Sequence, residues 1–224
     1  KTRYRSVNNV LEELEYMVKR KGVSLIRFQD DTFTLNKKRA IEILEEILSK
    51  GLNIKWVCDT RIDKLDKEIL QIMKKSGCIC ISFGLESMDN SVLKSMRKQI
   101  TAEQIEHALK ITYDANIDIQ GGFIFGDTSE TNDTAEKTLK WNDNHPQYGL
   151  ELNMIHIFPG TGVYKYACER GIIKDKIEFL KKGCPLINVS TLTDEEYKAL
   201  SSLLYEKNMR PKYLPSVFSL KCID

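Results

Sequence analysis

Short apolar runs and amphipathic segments alternate along the first 160 residues of the chain. The apolar runs are too short for helices and are rich in β-branched and aromatic residues, which predicts strands. In the other segments, apolar residues recur three and four positions apart, which predicts amphipathic helices. The predicted strands are 23–28, 54–58, 78–83, 117–125 and 150–158, and the predicted helices lie within 6–22, 36–51, 66–77, 101–111 and 133–141.

Polar residues at the boundaries of these segments support the predicted helices. Asn36 and Asp66 stand at helix starts, where their side chains can cap the first free N–H groups. Gly51 and Gly77 stand where two of the helices should end. Each of these predicted helices is therefore followed by a predicted strand within a few residues.

Strands separated by helices predict right-handed crossovers and a parallel α/β sheet, either closed as a barrel or open and doubly wound. Periodicity alone does not choose between the two. In both architectures the chemistry lies at the carboxyl ends of the strands. Those ends carry Asp30 and Asp31, Asp59 and Arg61, Glu86 and Ser87, Gly126 and Glu130, then His156 and Pro159. This series predicts a functional site.

The pattern changes after Gly171, which predicts a barrel domain over 1–170 and a helical appendage with a tail over 171–224. Within the appendage, Thr193 and Glu196 form a capping box ahead of a helix. The tail beyond Met209 has no periodicity, so we expect order there only through docking.

Composition and charge exclude several classes of partner. Of the 224 residues, 42% are hydrophobic and 29% charged, as in a soluble globular protein. Lys plus Arg (34) nearly balances Asp plus Glu (32), so the net charge of +2 gives no electrostatic case for nucleic acid or an acidic membrane. No apolar run reaches the roughly 20 residues of a membrane helix, and residues 1–9 do not resemble a signal peptide. A cytoplasmic location is the expectation.

The usual motifs of several enzyme classes are missing. No GxGxxG or GxxxxGK[ST] loop is present for a nucleotide, and no GxSxG for a hydrolase. The histidines His107, His145 and His156 lack zinc-motif spacing. The six cysteines show no CxxC or CxxxCxxC spacing, so no metal ligands are predicted; Cys78 and Cys80 are expected to be small buried residues on one face of a strand.

An ordered series of short motifs resembles the barrel of radical S-adenosylmethionine (SAM) proteins. They are YRS at 4–6, FQDDTF at 28–33, WVCDTRID at 56–63, GC at 77–78, FGLES at 83–87, GFIFG at 122–126 with ET at 130–131, and FPGTG at 158–162. Each motif alone is weak, but together they span roughly residues 3 to 195. They are most similar to the subfamily whose full-length members often carry an amino-terminal cobalamin-binding domain.

The resemblance implies a partial parallel (β/α) TIM-like barrel and a [4Fe–4S] cluster on three cysteines that binds SAM. Reductive cleavage of SAM by that cluster gives methionine and a 5′-deoxyadenosyl radical. It also implies a reductant such as flavodoxin or ferredoxin, cobalamin through a separate domain, and a small-molecule or peptide substrate that the sequence does not identify. The expected outcome is methyl transfer, cyclisation or a related modification.

The family's cysteine loop precedes the helix that begins here near Ser6. The resemblance therefore implies that this chain starts just after that loop and lacks the first barrel strand. We expect such a fragment to be inactive alone. The edge of the strand at 23–28 should then be open, which favours dimerisation.

At the first two strand ends, the resemblance assigns residues to the methionyl part of SAM. Gln29, Asp30 and Asp31 occupy the place where related enzymes bind its amino group, although an aspartate here can instead cap a turn. Asp59 and Arg61 end the next strand, and Arg61 can hold either a cofactor carboxylate or Glu86 inside the barrel.

At the later strand ends, the resemblance assigns residues to the ribose and adenine. Glu86 and Ser87 are matched to the ribose or methionyl end of SAM. The adenine-contacting strand is matched by Gly122, Ile124 and Gly126, with His156 and Pro159 close to the same position. The glycines are also consistent with a ligand-free barrel strand, and His156 with a core histidine. The family usually has proline after the last glycine, whereas Asp127-Thr128-Ser129 follows here, which should loosen that turn.

Two alternative hypotheses come from other functional classes. One is a cluster-less paralogue or fragment that serves as a binding or structural module. The other is an unrelated barrel that uses Asp30, Asp31 and Glu86 as a hard-metal site for lyase or hydrolase chemistry.

Overall fold

Five short strands alternate with helices in the computed structural model, which describes residues 3–209 of the chain. The strands are β1 (Leu25–Phe28), β2 (Lys55–Asp59), β3 (Cys78–Glu86), β4 (Asp118–Phe125) and β5 (Glu151–Met154). They form one sheet in the order 1-2-3-4-5. The pairs β1–β2, β2–β3 and β4–β5 are parallel, which confirms the predicted parallel α/β sheet.

Nine α-helices occur in the described part of the chain. They are α1 (Val7–Glu15), α2 (Lys37–Ser49), α3 (Lys67–Lys75), α4 (Asn90–Ser95), α5 (Ala102–Asp114), α6 (Asn132–Asn144), α7 (Gly162–Glu169), α8 (Lys176–Lys181) and α9 (Asp194–Met209). A π-helical turn (Tyr16–Arg20) extends α1, and short 3-10 turns lie at Phe33–Leu35, Ile62–Lys64 and Pro146–Tyr148. None of these helices is long and apolar enough to cross a membrane.

The caps that the sequence predicts are present. The Asn36 side chain accepts a hydrogen bond from the Arg39 N–H, and the Asp66 side chain accepts one from the Ile69 N–H. At α9, the Glu196 N–H donates to the Thr193 hydroxyl while the Glu196 carboxylate accepts from the Thr193 N–H. Local sequence signals therefore fix where these helices begin.

The chain divides into two compact units, and each is described by itself. Among the described residues, the first contains those up to Gly84 together with Glu103–Gly121, and the second contains Leu85–Ala102 and residues 122–209. The boundary predicted near residue 170 stays a prediction, and the tail beyond Met209 lies outside the described residues.

The core of the first unit surrounds Trp56 on β2. Its ring packs edge-on against Phe28 and at a tilt against Phe33, with ring centroids 5.4 Å apart in both pairs. The indole N–H donates to the Ser76 carbonyl over 2.9 Å. Cys78 and Cys80 are both buried, as predicted. Strand β1 lies at one edge of the described sheet, as expected for the strand predicted at 23–28. Dimerisation through this edge stays a prediction.

In the second unit, the strand predicted over 150–158 is shorter than expected. It ends at Met154, because the chain then leaves the sheet and Ile157 enters a separate apolar cluster with α7 and α8. The buried members of that cluster are Ile157, Ala167, Ile173, Phe179 and Val189. Helices α4, α7 and α8 have six to eight residues, too few turns for a periodic signal in the sequence.

Candidate functional site

The first strand end in the first unit carries Gln29, Asp30 and Asp31, and all three side chains are exposed. The cap of the following helix is Asn36 and neither aspartate. Capping of the turn after β1 by either aspartate stays a prediction. Their assignment to the amino group of SAM stays a prediction.

An ion pair that the sequence did not predict joins β1 to β2. The Arg27 guanidinium donates through Nη2 to both oxygens of Asp59, over 3.0 and 2.7 Å. Arg61 instead pairs with Asp63, with 2.8 Å between Nε and Oδ1, and the hydrogen bond that it donates to Asp63 raises the pKa of Arg61. The two residues predicted at the end of β2 thus both have partners of opposite charge within their own unit.

A cavity of about 530 Å³ opens beside β1 in the first unit. Its polar lining includes Arg5, Glu13, Arg27, Gln29, Asp30 and Arg39. Two of the predicted site residues, Gln29 and Asp30, therefore face a cavity together with several guanidinium groups. A lining of this charge suits a ligand with carboxylate and ammonium groups.

In the second unit, β3 ends on a strained glutamate. Glu86 has a φ of 71°, in the left-handed region that residues with a side chain rarely occupy. Its largely buried carboxylate lies 2.6 Å from the Lys98 ammonium. Backbone strain of this kind concentrates at functional sites, since surrounding contacts must hold the residue in place. Lys98 is a second residue that the sequence interpretation missed.

Ser87, the next residue, has a structural role. It is buried, its hydroxyl lies 3.2 Å from the Thr138 hydroxyl, and it accepts a hydrogen bond from the Asp89 N–H. The Thr138 hydroxyl also accepts from the Met88 N–H. These bonds tie the turn after β3 to α6. The predicted contact of Ser87 with the cofactor stays a prediction.

Gly122 in β4 and Gly126 directly after it are glycines for different physical reasons. A Cβ on Gly122 would lie 2.5 Å from the Glu151 carbonyl oxygen, so this glycine lets β5 pair closely with β4. Gly126 has a φ of 93°, and its Cβ would lie 3.1 Å from Cε2 of Tyr197 and 3.3 Å from Cε of Met154. Both glycines are thus explained by packing within the protein: Gly122 by the approach of β5, and Gly126 by its positive φ and by the Tyr197 and Met154 side chains that fill the space beside it. Ile124, between them, is half-buried.

A buried carboxyl group holds the turn after β4. Glu130 is 1% exposed; one carboxyl oxygen accepts from the Gly126 N–H over 3.3 Å and the other from the Thr134 hydroxyl over 2.5 Å. Burial raises the pKa of Glu130. Asp127 also closes the turn, because its carboxylate accepts from the N–H and the hydroxyl of Ser129. These hydrogen bonds stabilise the turn where the family usually has proline, and its expected loosening stays a prediction.

His156 and Pro159 lie beyond the end of β5, and both are exposed. The His156 ring stacks with Phe158 at a centroid distance of 6.0 Å. The interpretation of His156 as a core histidine is wrong, because the chain has already left the sheet there. Contact of either residue with the adenine stays a prediction.

The residues present do not fit an iron–sulfur cluster. No group of three or more His, Cys, Asp or Glu side chains in residues 3–209 is arranged to hold a metal ion, so the hard-metal hypothesis has no site in this part of the chain either. Burial raises the pKa of the Cys58 and Cys78 thiols far above the usual range and that of Cys80 to about 11. Metal ligation needs thiolates, which these positions disfavour.

The same burial predicts a pattern of alkylation. In the native chain at pH 8, we expect iodoacetamide to label the half-buried Cys168 and Cys184 and to spare Cys58, Cys78 and Cys80. A rise in pKa from 9.0 to about 11 leaves Cys80 with about a hundredfold less thiolate. Peptide mass spectrometry would show this, with the urea-unfolded chain as the control in which all five of these cysteines are labelled. Rapid native labelling of the strand cysteines would contradict their burial.

The radical SAM superfamily model matches residues 1–141 of the chain. This chain belongs to the radical SAM superfamily. The family's cofactors are SAM and a [4Fe–4S] cluster. The match ends before the last strand, so β5 and helices α7 to α9 lie outside it.

Two relatives extend this result. The radical SAM chain is 34% identical over 212 residues to an uncharacterized methyltransferase of Pyrococcus horikoshii, covering 93% of this chain and 46% of the relative. It is 33% identical over 142 residues to an anaerobic magnesium-protoporphyrin IX monomethyl ester cyclase of Cereibacter sphaeroides, covering 62% of this chain and 23% of the relative. The chain thus spans less than half the length of either.

Solved structures confirm the fold as a TIM-like radical SAM barrel. The methyltransferase TsrM of Kitasatospora setae, solved with cobalamin and a [4Fe–4S] cluster bound, has a TM-score of 0.66 and 17% identity; the match covers 75% of this chain and 32% of TsrM. The cobalamin-dependent radical enzyme OxsB has a TM-score of 0.56 and 23% identity, with 84% and 28% covered.

Proposed function

We infer that the protein to which this chain belongs is a radical SAM methyltransferase. The observation that carries this proposal is the similarity to the Pyrococcus methyltransferase, which runs over 93% of the chain and so continues past the family match at residue 141. The similarity to the cyclase covers a smaller share of the chain, which makes cyclisation the second candidate.

The residues of this chain fit SAM better than they fit the cluster. Glu86 presents a largely buried carboxylate from a strained strand end. When bound, SAM supplies the methyl group and, on reduction, the adenosyl radical. In our proposal the Glu86 carboxylate accepts hydrogen bonds from the ribose hydroxyls, and Lys98 orients that carboxylate and balances its charge.

In the first unit, Gln29 and Asp30 line the cavity beside β1 and are our candidates for the amino group of SAM. Acceptor oxygens are the groups that an ammonium requires. Cobalamin in a separate domain, a flavodoxin or ferredoxin as reductant, and a small-molecule or peptide substrate belong to the same proposal. Since residues 3–209 offer no cluster site, we expect this chain alone not to cleave SAM.

The proposal is tested with the protein as its genome encodes it, purified anaerobically with iron, sulfide and cobalamin and incubated with SAM and dithionite. A methyltransferase should form S-adenosylhomocysteine as well as 5′-deoxyadenosine. A cyclase should form 5′-deoxyadenosine and methionine without S-adenosylhomocysteine. No turnover and no bound iron would favour the binding-module hypothesis and overturn the proposal.

The assignment of Glu86 to the SAM site is tested in the same experiment. Glu86→Gln should slow SAM cleavage by about tenfold or more, because a hydrogen bond to a charged group contributes about 1.5–3 kcal/mol. Glu42→Gln, at an exposed position of α2, is the matched control and should leave the rate unchanged. Equal rates for the two variants would remove Glu86 from the site.

A further inference from the structure

The Tyr197 side chain is buried, with 6% of its surface exposed, but its hydroxyl has no hydrogen-bond partner. Among the described residues, only the indole nitrogen of Trp141 shares this condition. An unpaired buried hydroxyl is costly, and such groups in folded proteins call for an explanation. The Trp141 indole lies in an aromatic stack with His145 and Tyr148, whereas Tyr197 lies beside a predicted ligand position.

Tyr197 is placed by the first turn of α9 against the end of β4. Its Cε2 atom lies 3.1 Å from the position that a Gly126 Cβ would occupy. Because Cε2 is bonded to the carbon that carries the hydroxyl, the hydroxyl end of the ring is the part that lies beside Gly126. Gly126 ends the strand that the family resemblance assigns to the adenine, and its missing side chain leaves room for the tyrosine ring.

Hydrogen bonds at both ends of α9 hold the tyrosine in this place. At the start, the hydroxyl of Thr191 donates to the Glu130 carbonyl, and the Thr193 capping box fixes the first turn. Near the end, the Asn208 side chain accepts from the N–H of Leu152 and donates to its carbonyl on β5. A side chain fixed in this way contributes a hydrogen bond to a ligand without a further ordering cost.

We propose that the Tyr197 hydroxyl hydrogen-bonds the adenosyl portion of SAM, so that α9 supplies a binding residue from outside the family match. This rests on the proposed function. Adenosine offers both donors and acceptors, and a phenol can act as either. The Cε methyl of Met154 also packs against Gly126. Because a methionine changes its rotamer at little cost, we expect Met154 to move aside when the ligand enters.

The variant Tyr197→Phe removes the hydroxyl and keeps the ring. For the ligand-free protein, we expect thermal unfolding at an equal or higher temperature, since an unpaired polar group is lost. For the reconstituted protein, we expect a dissociation constant for SAM about fivefold higher by calorimetry, as one neutral hydrogen bond predicts. The inhibition constant of 5′-deoxyadenosine as a competitor should rise by the same factor.

Tyr164→Phe is the matched control, because the Tyr164 hydroxyl has a hydrogen-bond partner in Cys168. It should lower stability slightly and leave SAM affinity unchanged. Wild-type protein that binds no SAM would overturn the proposed function. Wild-type binding together with unchanged affinity in Tyr197→Phe, or a less stable ligand-free variant, would overturn only the role of Tyr197. Absence of competition by 5′-deoxyadenosine, or a rise confined to SAM, would refute the adenosyl assignment.

Discussion

Replacing Gly77 with alanine should lower the free energy of unfolding by about 3–4 kcal/mol, from backbone strain and a collision together. Gly77 joins α3 to β3 with a φ of 99°, and an added Cβ would lie 2.0 Å from the Ile54 carbonyl oxygen. The turn cannot move away easily, since Trp56 donates its N–H to the Gly77 carbonyl and its indole N–H to the Ser76 carbonyl. Relief of the collision would break bonds in the core of the first unit.

Gly51→Ala provides the matched control for this prediction. Gly51 also follows a helix and has a φ of 61°, but nothing lies within 4 Å of its Cβ position. Its substitution should therefore cost only the left-handed strain, about 1 kcal/mol. Urea unfolding of both variants separates the cost of the collision from the cost of the backbone strain. A Gly77→Ala variant no less stable than Gly51→Ala would show that the turn rearranges freely.

The sequence predicted the order and direction of the strands because their signals are local. A buried parallel strand needs a short apolar run, and each helix needs an apolar stripe with a cap such as Asn36 or Asp66. Strand ends depend instead on where the chain leaves the sheet. The end of β5 at Met154 is set by the packing of Ile157 against distant residues, and apolar content alone does not reveal it.

Within the candidate site, the sequence located the strand ends but not the partners of the residues there. Lys98 lies twelve positions after Glu86, beyond helix α4, and Tyr197 contacts Gly126 from a helix outside the family motifs. Neither contact can be predicted from the local pattern of apolar and polar residues. Arg27 is different, because a cation in the middle of an apolar strand demands a partner on the neighbouring strand, and Asp59 satisfies it. That signal was available in the sequence.

The second large effect should come from Glu130→Ala, which we expect to cost about 2–4 kcal/mol. The variant leaves the buried Gly126 N–H without an acceptor and removes one of the two acceptors of the Thr134 hydroxyl, which can still donate to the Thr131 carbonyl. Glu130→Gln should cost far less near neutral pH. Its amide oxygen can accept from Gly126, and its NH₂ group can donate to the Thr134 hydroxyl oxygen.

The difference in stability between Glu130→Gln and wild type should also depend on pH, and the burial of Glu130 gives the sign of this dependence. Burial raises the pKa of Glu130 above its ordinary value of 4.5, so the folded state binds more protons than the unfolded state in the interval above that value. The contribution of this group to stability is therefore complete below pH 4.5 and is lost as the pH rises through the folded-state pKa. Glutamine mimics the protonated acid and does not titrate. Glu130→Gln should accordingly gain stability relative to wild type as the pH rises.

Glu196→Gln is the control of opposite sign for this titration. Hydrogen bonds from the backbone of Thr193 and the side chain of Asn132 lower the pKa of Glu196, so its carboxylate stabilises the fold above the ordinary pKa. This variant should lose stability relative to wild type as the pH rises. Urea unfolding of both variants and wild type between pH 4 and 8 gives the two differences directly. If the free energies of unfolding of Glu130→Gln and wild type changed with pH by the same amount, the Glu130 carboxyl would ionise in the folded protein as it does in water. Burial would then not control its ionisation.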